Sequence, residues 1–503
     1  MGADAVNLLV PIPATANGRL HLGHIGGPML RMDVLARHLR RRGEQVRIVS
    51  ATDPFDSFVL LRALQDNRSP EEVVEHWHAL IERDLRAVGI DLDCFANLLA
   101  EPWATRNAEI ITRLMDDLVA EGLAEVMREK FLYCPASDRW IVGAWLLGSC
   151  PTCGAACASY FCEECGTHYR PEMLADARSR FGLDEGPVEW RELPCLYLRL
   201  PNTEELTRRM VDMGVPQEFR DIVLRHIATQ GPLLRLTLPG TWGVPYEVPG
   251  SPVPQVTFTY SVGVLAFWLL CAEMAGIEPG SESRSVASFG IDNSLPFLLG
   301  GLGMGLALRS VRPLDHVLLN HFHTLEGAKF STSRGHAIWA EDMAAEAGSD
   351  AVRAYLVEVD PARGTTDFAR PAFWSYVDDV LVGQWQAAVH RAWSGPMGDA
   401  DPGPLLQAQA RAIDPAHQDL VPALAAVHEW VHAATPTLSW LKGFALLAYP
   451  FTPEFATSVW HAVGGSGAPS TSVLDPASGS SAEDFLLRSP SVAPPRITFA
   501  RSQ

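Results

Sequence analysis

The chain opens on an apolar run, Ala5-Val6-Asn7-Leu8-Leu9-Val10, that passes directly into Pro, Ala, Thr, Asn and Gly. A run closed by such breakers predicts a buried strand ending in a tight loop. From His24 to Arg42 the apolar positions Ile25, Met29, Met32, Leu35 and Leu39 recur at helical spacing, Gly43 supplies a stop, and Gln45 to Ser50 returns to strand character. Strand, helix and strand in that order predict a parallel sheet, whose ligands lie at the carboxyl ends of the strands, here beside Asn17 to His24 and Ala51-Thr52-Asp53. The pattern breaks near Phe131, and a stretch containing Cys and Gly, running to about Arg170, reads as an insertion. Apolar strands around Val256 to Phe258 and His316 to Leu319 predict that the sheet is completed beyond it. From Val377 the pattern turns helical, with amphipathic stretches at Val421 to His432, Thr437 to Ala448 and Glu454 to Val463. Gly464 to Ser481 and Ser489 to Pro495 are rich in Ser, Gly, Ala and Pro and predict flexible pieces.

A length of 503 residues exceeds what one core serves. The expected organisation is a first half-sheet unit over residues 1–115, an insertion over 116–230, the second half over 231–345, a linking segment over 346–385 and a helical region over 386–503. With 47% hydrophobic and 20% charged residues the chain has the composition of packed globular cores. A net charge of −19 argues against general polyanion binding, which relies on Lys and Arg. No apolar run approaches the roughly 20 residues needed to span a bilayer, and the N-terminus lacks the features of a signal peptide, so the expectation is a cytoplasmic protein that does not engage a membrane.

Three clusters carry chemistry. Pro13-Ala14-Thr15-Ala16-Asn17-Gly18-Arg19-Leu20-His21-Leu22-Gly23-His24 sits between the first strand and its helix. His21 and His24 in a first helical turn add imidazole donors where backbone N–H groups and the dipole already favour an anion, and Gly23 lets a ring or phosphate approach the backbone. The bland alternative is an ordinary polar helix cap. The second cluster is Gly327-Ala328-Lys329-Phe330-Ser331-Thr332-Ser333-Arg334-Gly335, a loop able to place an ammonium and hydroxyls on a pyrophosphate leaving group. Third, Cys150-Pro-Thr-Cys153 and Cys162-Glu-Glu-Cys165 pair two C-x-x-C motifs across eight residues, the spacing of a closed, structural zinc site. Cys157 lies inside that loop as a fifth thiol.

In this order, with most of the chain between them, the first two clusters resemble the paired signatures of class I aminoacyl-tRNA synthetases, specifically the methionyl branch. Ala51-Thr52-Asp53, the cysteine knuckle, Val286 to Asp292, Gly348 to Leu356 and Ala448 to Glu454 add to the resemblance. It implies a Rossmann-like α/β sheet split by a zinc-binding insertion and followed by a C-terminal α-helical domain. It further implies a ligase that forms an aminoacyl-adenylate from ATP, with Mg2+, and passes the acyl group to tRNA. His21, His24 and Lys329 would be catalytic; Asn17, Gly23, Asp292, Ser331 and Ser333 would hold ATP; Asp53 would hold the α-ammonium of the amino acid; Cys150, Cys153, Cys162 and Cys165 would bind one structural Zn2+. A second knuckle, which some members begin near Cys134, is not expected because Ser137 replaces its partner cysteine.

The chain departs from the family at four places. Thr332 stands where a second loop lysine is usual; Phe258 to Val264 lacks the aromatic and acidic pattern of the methionine pocket; Phe297 or Leu298 replaces a histidine; and Arg235-Leu236-Thr237-Leu238-Pro239 replaces a Trp-x-Ile-Ser-Arg-like segment. The helical region is also short. Three readings therefore compete: a tRNA ligase, an amide ligase joining the activated amino acid to a small-molecule amine, and an inactive regulatory paralogue. Arg37, Arg40, Arg41 and Arg42 form a basic run expected at a hydrated helix end. Trp430, Trp440 and Trp460 are expected in the core.

Overall fold

The computed structural model describes residues 5–182, 186–278, 281–330, 335–396, 400–417, 419–433 and 437–474. The expected pieces in the C-terminal tail therefore lie largely outside the described residues, as do Ser331, Thr332 and Ser333.

Five strands, β1 (Val6–Pro11), β2 (Gln45–Asp53), β3 (Cys94–Asn97), β4 (Ser283–Gly290) and β5 (His316–Asn320), pair in parallel in the order β5-β4-β1-β2-β3, with Ala14–Thr15 adding a short pairing beside the end of β2. Leu8, Leu9 and Val10 of β1 are buried, as a central strand covered by helices on both faces requires. The chain leaves β1 toward β2 on one side, whereas β4 and β5 lie on the other. That reversal opens a crevice at the carboxyl ends of β1 and β4.

The sheet is completed by β4 and β5. The expected strand near Val256 is present as Gln255–Thr257, but it pairs with Thr237–Pro239 in a separate two-stranded ribbon. Local apolar character cannot reveal which partner a short strand selects. The helix expected from His24 is interrupted: Leu22–His24 is followed by a wide turn over Ile25–Met29, with Pro28 inside it and Gly27 at non-helical angles, before Leu30–Arg41 runs regularly. Pro28 has no N–H to continue the ladder.

The insertion has its own antiparallel sheet, in which Ala124–Cys134 and Glu189–Arg199 form the long central pair. The knuckle stands on three short strands, Leu146–Ser149, Ala156–Cys157 and Ala175–Ser179. Helices Gly403–Ile413, Val421–Ala433, Leu438–Ala448 and Pro453–Ala462 form the C-terminal region. Trp430, Trp440 and Trp460 are buried, and the indoles of Trp430 and Trp440 each donate to the other's backbone carbonyl.

Of the basic run Arg42 does lie on the hydrated helix end, 49% exposed beside Glu44, whereas the other three arginines are paired within the protein. Arg41 is 2% exposed and donates to Gln409 Oε1 at 2.8 Å, Arg37 pairs with Asp33 at 2.7 Å, and Arg40 pairs with Asp93 at 2.7 Å. On the same helix Arg31 meets Asp360 at 2.6 Å, and Asp33 also receives Arg353 at 2.5 Å, all four side chains being at most 1% exposed. A buried charge is tolerable only when paired; the Asp360 and Arg353 pairs dock the segment 346–385 against the sheet domain, and Arg41 with Gln409 docks the helical region. Periodicity places Arg37 and Arg41 at a helix end but carries no information about the domain that packs over it.

Candidate active site at the carboxyl edge of the sheet

Loops leaving β1, β2, β4 and β5 bring the expected residues to one edge. His21 and His24 stack with ring centroids 3.7 Å apart, and the Phe330 ring stacks on His21 at 4.5 Å and 9°. A β-carbon at position 23 would lie 3.1 Å from both His21 and Phe330, so the close approach that only glycine permits is made here by two aromatic rings. His24 keeps exposed surface, while the protein mass around the crevice excludes water and pushes its pKa down to about 4. Burial and the neighbouring His24 likewise hold His21 well below the usual value. Both shifts favour the neutral imidazole over the cation.

What joins the two loops, some 300 residues apart, is a carboxylate that sequence reading passed over. Asp84, fully buried on helix Pro70–Ala87, accepts from Arg19 Nη2 at 2.7 Å, from the Leu20 N–H at 3.0 Å and from the Glu341 N–H at 3.1 Å. Beside it the Leu22 N–H donates to the Ile338 carbonyl and the Ala340 N–H to the Leu20 carbonyl, each at 3.0 Å. The signal was present, because Asp84 falls on the apolar stripe of its helix with Val73, Trp77 and Ile81.

Lys329 ends the short strand Ala328–Lys329 that pairs with His323–Leu325. Its Nζ contacts Glu163 at 3.0 Å and Glu164 at 3.4 Å, the two residues between Cys162 and Cys165. Burial opposes the ammonium charge, but the two carboxylates outweigh it and raise the pKa. Asn17 lies half-buried in the first loop, and its N–H donates to the Thr15 carbonyl. Asp292 follows β4 in a turn over Ile291–Asn293; burial, reinforced by Glu163, pushes its carboxyl up to about 6. His323 is buried, with Nδ1 3.0 Å from the Thr366 hydroxyl.

Asp53 ends β2. It accepts from the Phe55 N–H at 2.9 Å and from the Thr259 hydroxyl at 3.0 Å. Burial and the adjacent Asp56 push its pKa up to about 6. Nearby, the divergent segment packs tightly: Tyr260 donates to Asp56, Phe297 stacks on Phe289 at 4.5 Å, and the Trp268 ring covers Gly301.

The four knuckle sulfurs lie within 4.8 Å of one another, with Cys150 to Cys165 at 3.7 Å and Cys153 to Cys162 at 3.6 Å. Tetrahedral zinc with Zn–S bonds of about 2.3 Å places sulfurs about 3.8 Å apart, so the set fits the ion. Cys157 lies outside the set, its thiol directed to the Ala155 carbonyl.

A family model described as tRNA synthetases class I (M) matches residues 10–257 and 297–393. The chain belongs to this family. Its members are ligases that form aminoacyl-adenylates. Among relatives, the methionine–tRNA ligase of Rubrobacter xylanophilus is 29% identical over 410 residues, covering 75% of this chain and 69% of that protein. The corresponding ligase of Methanopyrus kandleri is 27% identical over 391 residues, covering 76% and 58%. The Mycobacterium tuberculosis methionyl-tRNA synthetase in complex with methionyl-adenylate has the same fold, with a TM-score of 0.69 at 17% identity over 92% of this chain and 94% of that one. Among the described residues no helix is long and apolar enough to cross a membrane.

Two outcomes test the geometry. Asp84→Asn leaves Arg19 without its buried partner and should cost about 3 kcal/mol in urea unfolding; a loss below about 1 kcal/mol would show that the clamp behaves as a surface pair. Metal analysis of the purified chain should find about one zinc atom per molecule, falling toward zero in Cys162→Ser, and two atoms in the unaltered chain would contradict a single closed site.

Proposed function

We propose that this chain activates an amino acid with ATP and Mg2+ as the aminoacyl-adenylate and passes the acyl group to an acceptor, as a methionyl-tRNA synthetase-like aminoacyl-tRNA ligase acting in the cytoplasm. The observation that carries this reading is the meeting of the two loops, with the Phe330 ring on His21 and Lys329 adjacent. In it His21 and His24 donate to ATP phosphates, while Asn17, Gly23 and Asp292 hold the nucleotide. Lys329 neutralises the departing pyrophosphate with Ser331 and Ser333, where charge develops in the transition state. Asp53 binds the α-ammonium, a partly desolvated charge-assisted pair. Cys150, Cys153, Cys162 and Cys165 hold one structural zinc that shapes the insertion.

A second reading keeps adenylation and transfers the acyl group to a small-molecule amine. It is favoured by the internal pairing of Arg37, Arg40 and Arg41, which leaves Arg42 as the exposed member of that basic run. The divergent wall of Phe258 to Val264 and Phe297 leaves the side chain of the amino acid open in both readings.

Amino-acid-dependent ATP–pyrophosphate exchange, run across the common amino acids, tests the shared step. Silence with all of them would support an inactive paralogue, and stable aminoacyl-tRNA formation would separate the two ligase readings. Lys329→Ala should lower exchange at least about a hundredfold, the usual loss for one transition-state donor; unchanged exchange would remove Lys329 from the reaction. Because Asp53 carries a pKa near 6, it loses its charge as pH falls through that value, so KM for the amino acid should rise below pH 6. Asp53→Asn should raise KM by about a hundredfold at neutral pH and abolish that rise. A pH profile identical to that of the unaltered chain would assign the ammonium to another group.

A further inference from the structure

The insertion contains a cavity of about 220 Å3 that the adenylation reading does not use. It lies between the knuckle, the antiparallel sheet and helix Gln217–Gln230. Four aromatic rings, Tyr160, Tyr169, Tyr197 and Phe258, line it beside Met127, Met173, Leu233 and Leu234, with Tyr160 packed edge-on against Phe258 at 5.0 Å. Phe258 immediately precedes Thr259, which donates to Asp53, so this wall separates the cavity from the expected amino-acid site.

The polar lining offers donors. His168 is 6% exposed and stacks on Phe161 at 5.0 Å, and its Nε2 has no hydrogen-bond partner although it is buried. Such an atom costs about 1 to 3 kcal/mol unless something satisfies it. Arg170 and Arg235 line the same space, and none of the lining residues is acidic. Their partners stand behind them: Glu172 meets Arg170 Nε at 3.2 Å, and Glu129 takes one Nη of Arg235 and the Tyr197 hydroxyl. A guanidinium carries five N–H donors, so one carboxylate does not exhaust it.

We infer that this cavity binds a small carboxylate with a flat, apolar body, held by His168, Arg170 and Arg235 against the aromatic wall. The carboxylate is the acceptor that matches two forked cations and an imidazole N–H, and the rings take the body by stacking. This inference does not depend on adenylation, because that reading gives no role to His168, Arg170 or Arg235, the three proposed donors; only Phe258 of the lining also borders the amino-acid wall.

Benzoate is the probe, titrated calorimetrically into the full zinc-loaded chain without ATP, with benzylamine as the opposite-charge control. Saturable binding of benzoate and none of benzylamine is expected. His168→Phe removes the donor while keeping a ring against Phe161, and Thr229→Trp blocks the rim from an exposed helix position. Each should weaken benzoate at least about tenfold, the equivalent of one charge-assisted hydrogen bond. Retention of pyrophosphate exchange, or of the unaltered chain's circular dichroism and unfolding midpoint, shows that the variants are folded. Absence of benzoate binding, equal binding of benzylamine, or benzoate binding that survives both substitutions overturns the inference. A chain that binds benzoate but is silent in exchange would instead count against adenylation alone.

Discussion

Everything at the carboxyl edge of the sheet depends on one buried carboxylate. Asp84 takes the Arg19 guanidinium and the N–H groups of Leu20 and Glu341. An isolated carboxylate at that depth would be expensive, and three donors from two distant stretches of chain make it tolerable. The compensation is structural as well as energetic. The donors can reach one carboxylate only if the loop after β1 and the segment before helix Ala340–Ala347 lie side by side, which fixes where Phe330 and the histidines meet.

The same economy joins the helical region to the sheet. Helix Leu30–Arg41 presents charges on faces that become interior, and each is matched by a partner far along the chain: Asp360 for Arg31, Arg353 for Asp33, Gln409 for Arg41. Such contacts specify a docking geometry more sharply than apolar surface does, since a misplaced domain would leave several charges unpaired. The switch in strand order then places the crevice between β1 and β4, with the loops after β1 and β4 that bear candidate residues opening onto it.

Much of this was legible in the sequence because local signals and fold agree. The run Ala5 to Val10, the breaker-rich loop after it and Gln45 to Ser50 read directly as strand, loop and strand, and the paired C-x-x-C spacing anticipates four sulfurs that converge. What was not legible is non-local. Gln255–Thr257 is apolar whether it joins the large sheet or the small ribbon, and Arg41 follows helical spacing whether water or Gln409 faces it. Asp84 could have been suspected as a carboxylate on an apolar stripe, but its partners at 19, 20 and 341 could not. Residues 331–334, on which two expected hydroxyls fall, lie outside the described residues.

The resting place of Lys329 bears on the role proposed for it toward a triphosphate. Its ammonium is already paired, at the exposed tip of the cysteine knuckle, with Glu163 and Glu164. On the proposed reading a polyphosphate would have to displace these two carboxylates, and its electrostatic gain would be the difference between two sets of ion pairs instead of the whole of one. Added salt screens the old partnership and the new one alike, which blunts the sensitivity to ionic strength that a free lysine would confer. The knuckle thus sets the reference level from which the loop departs.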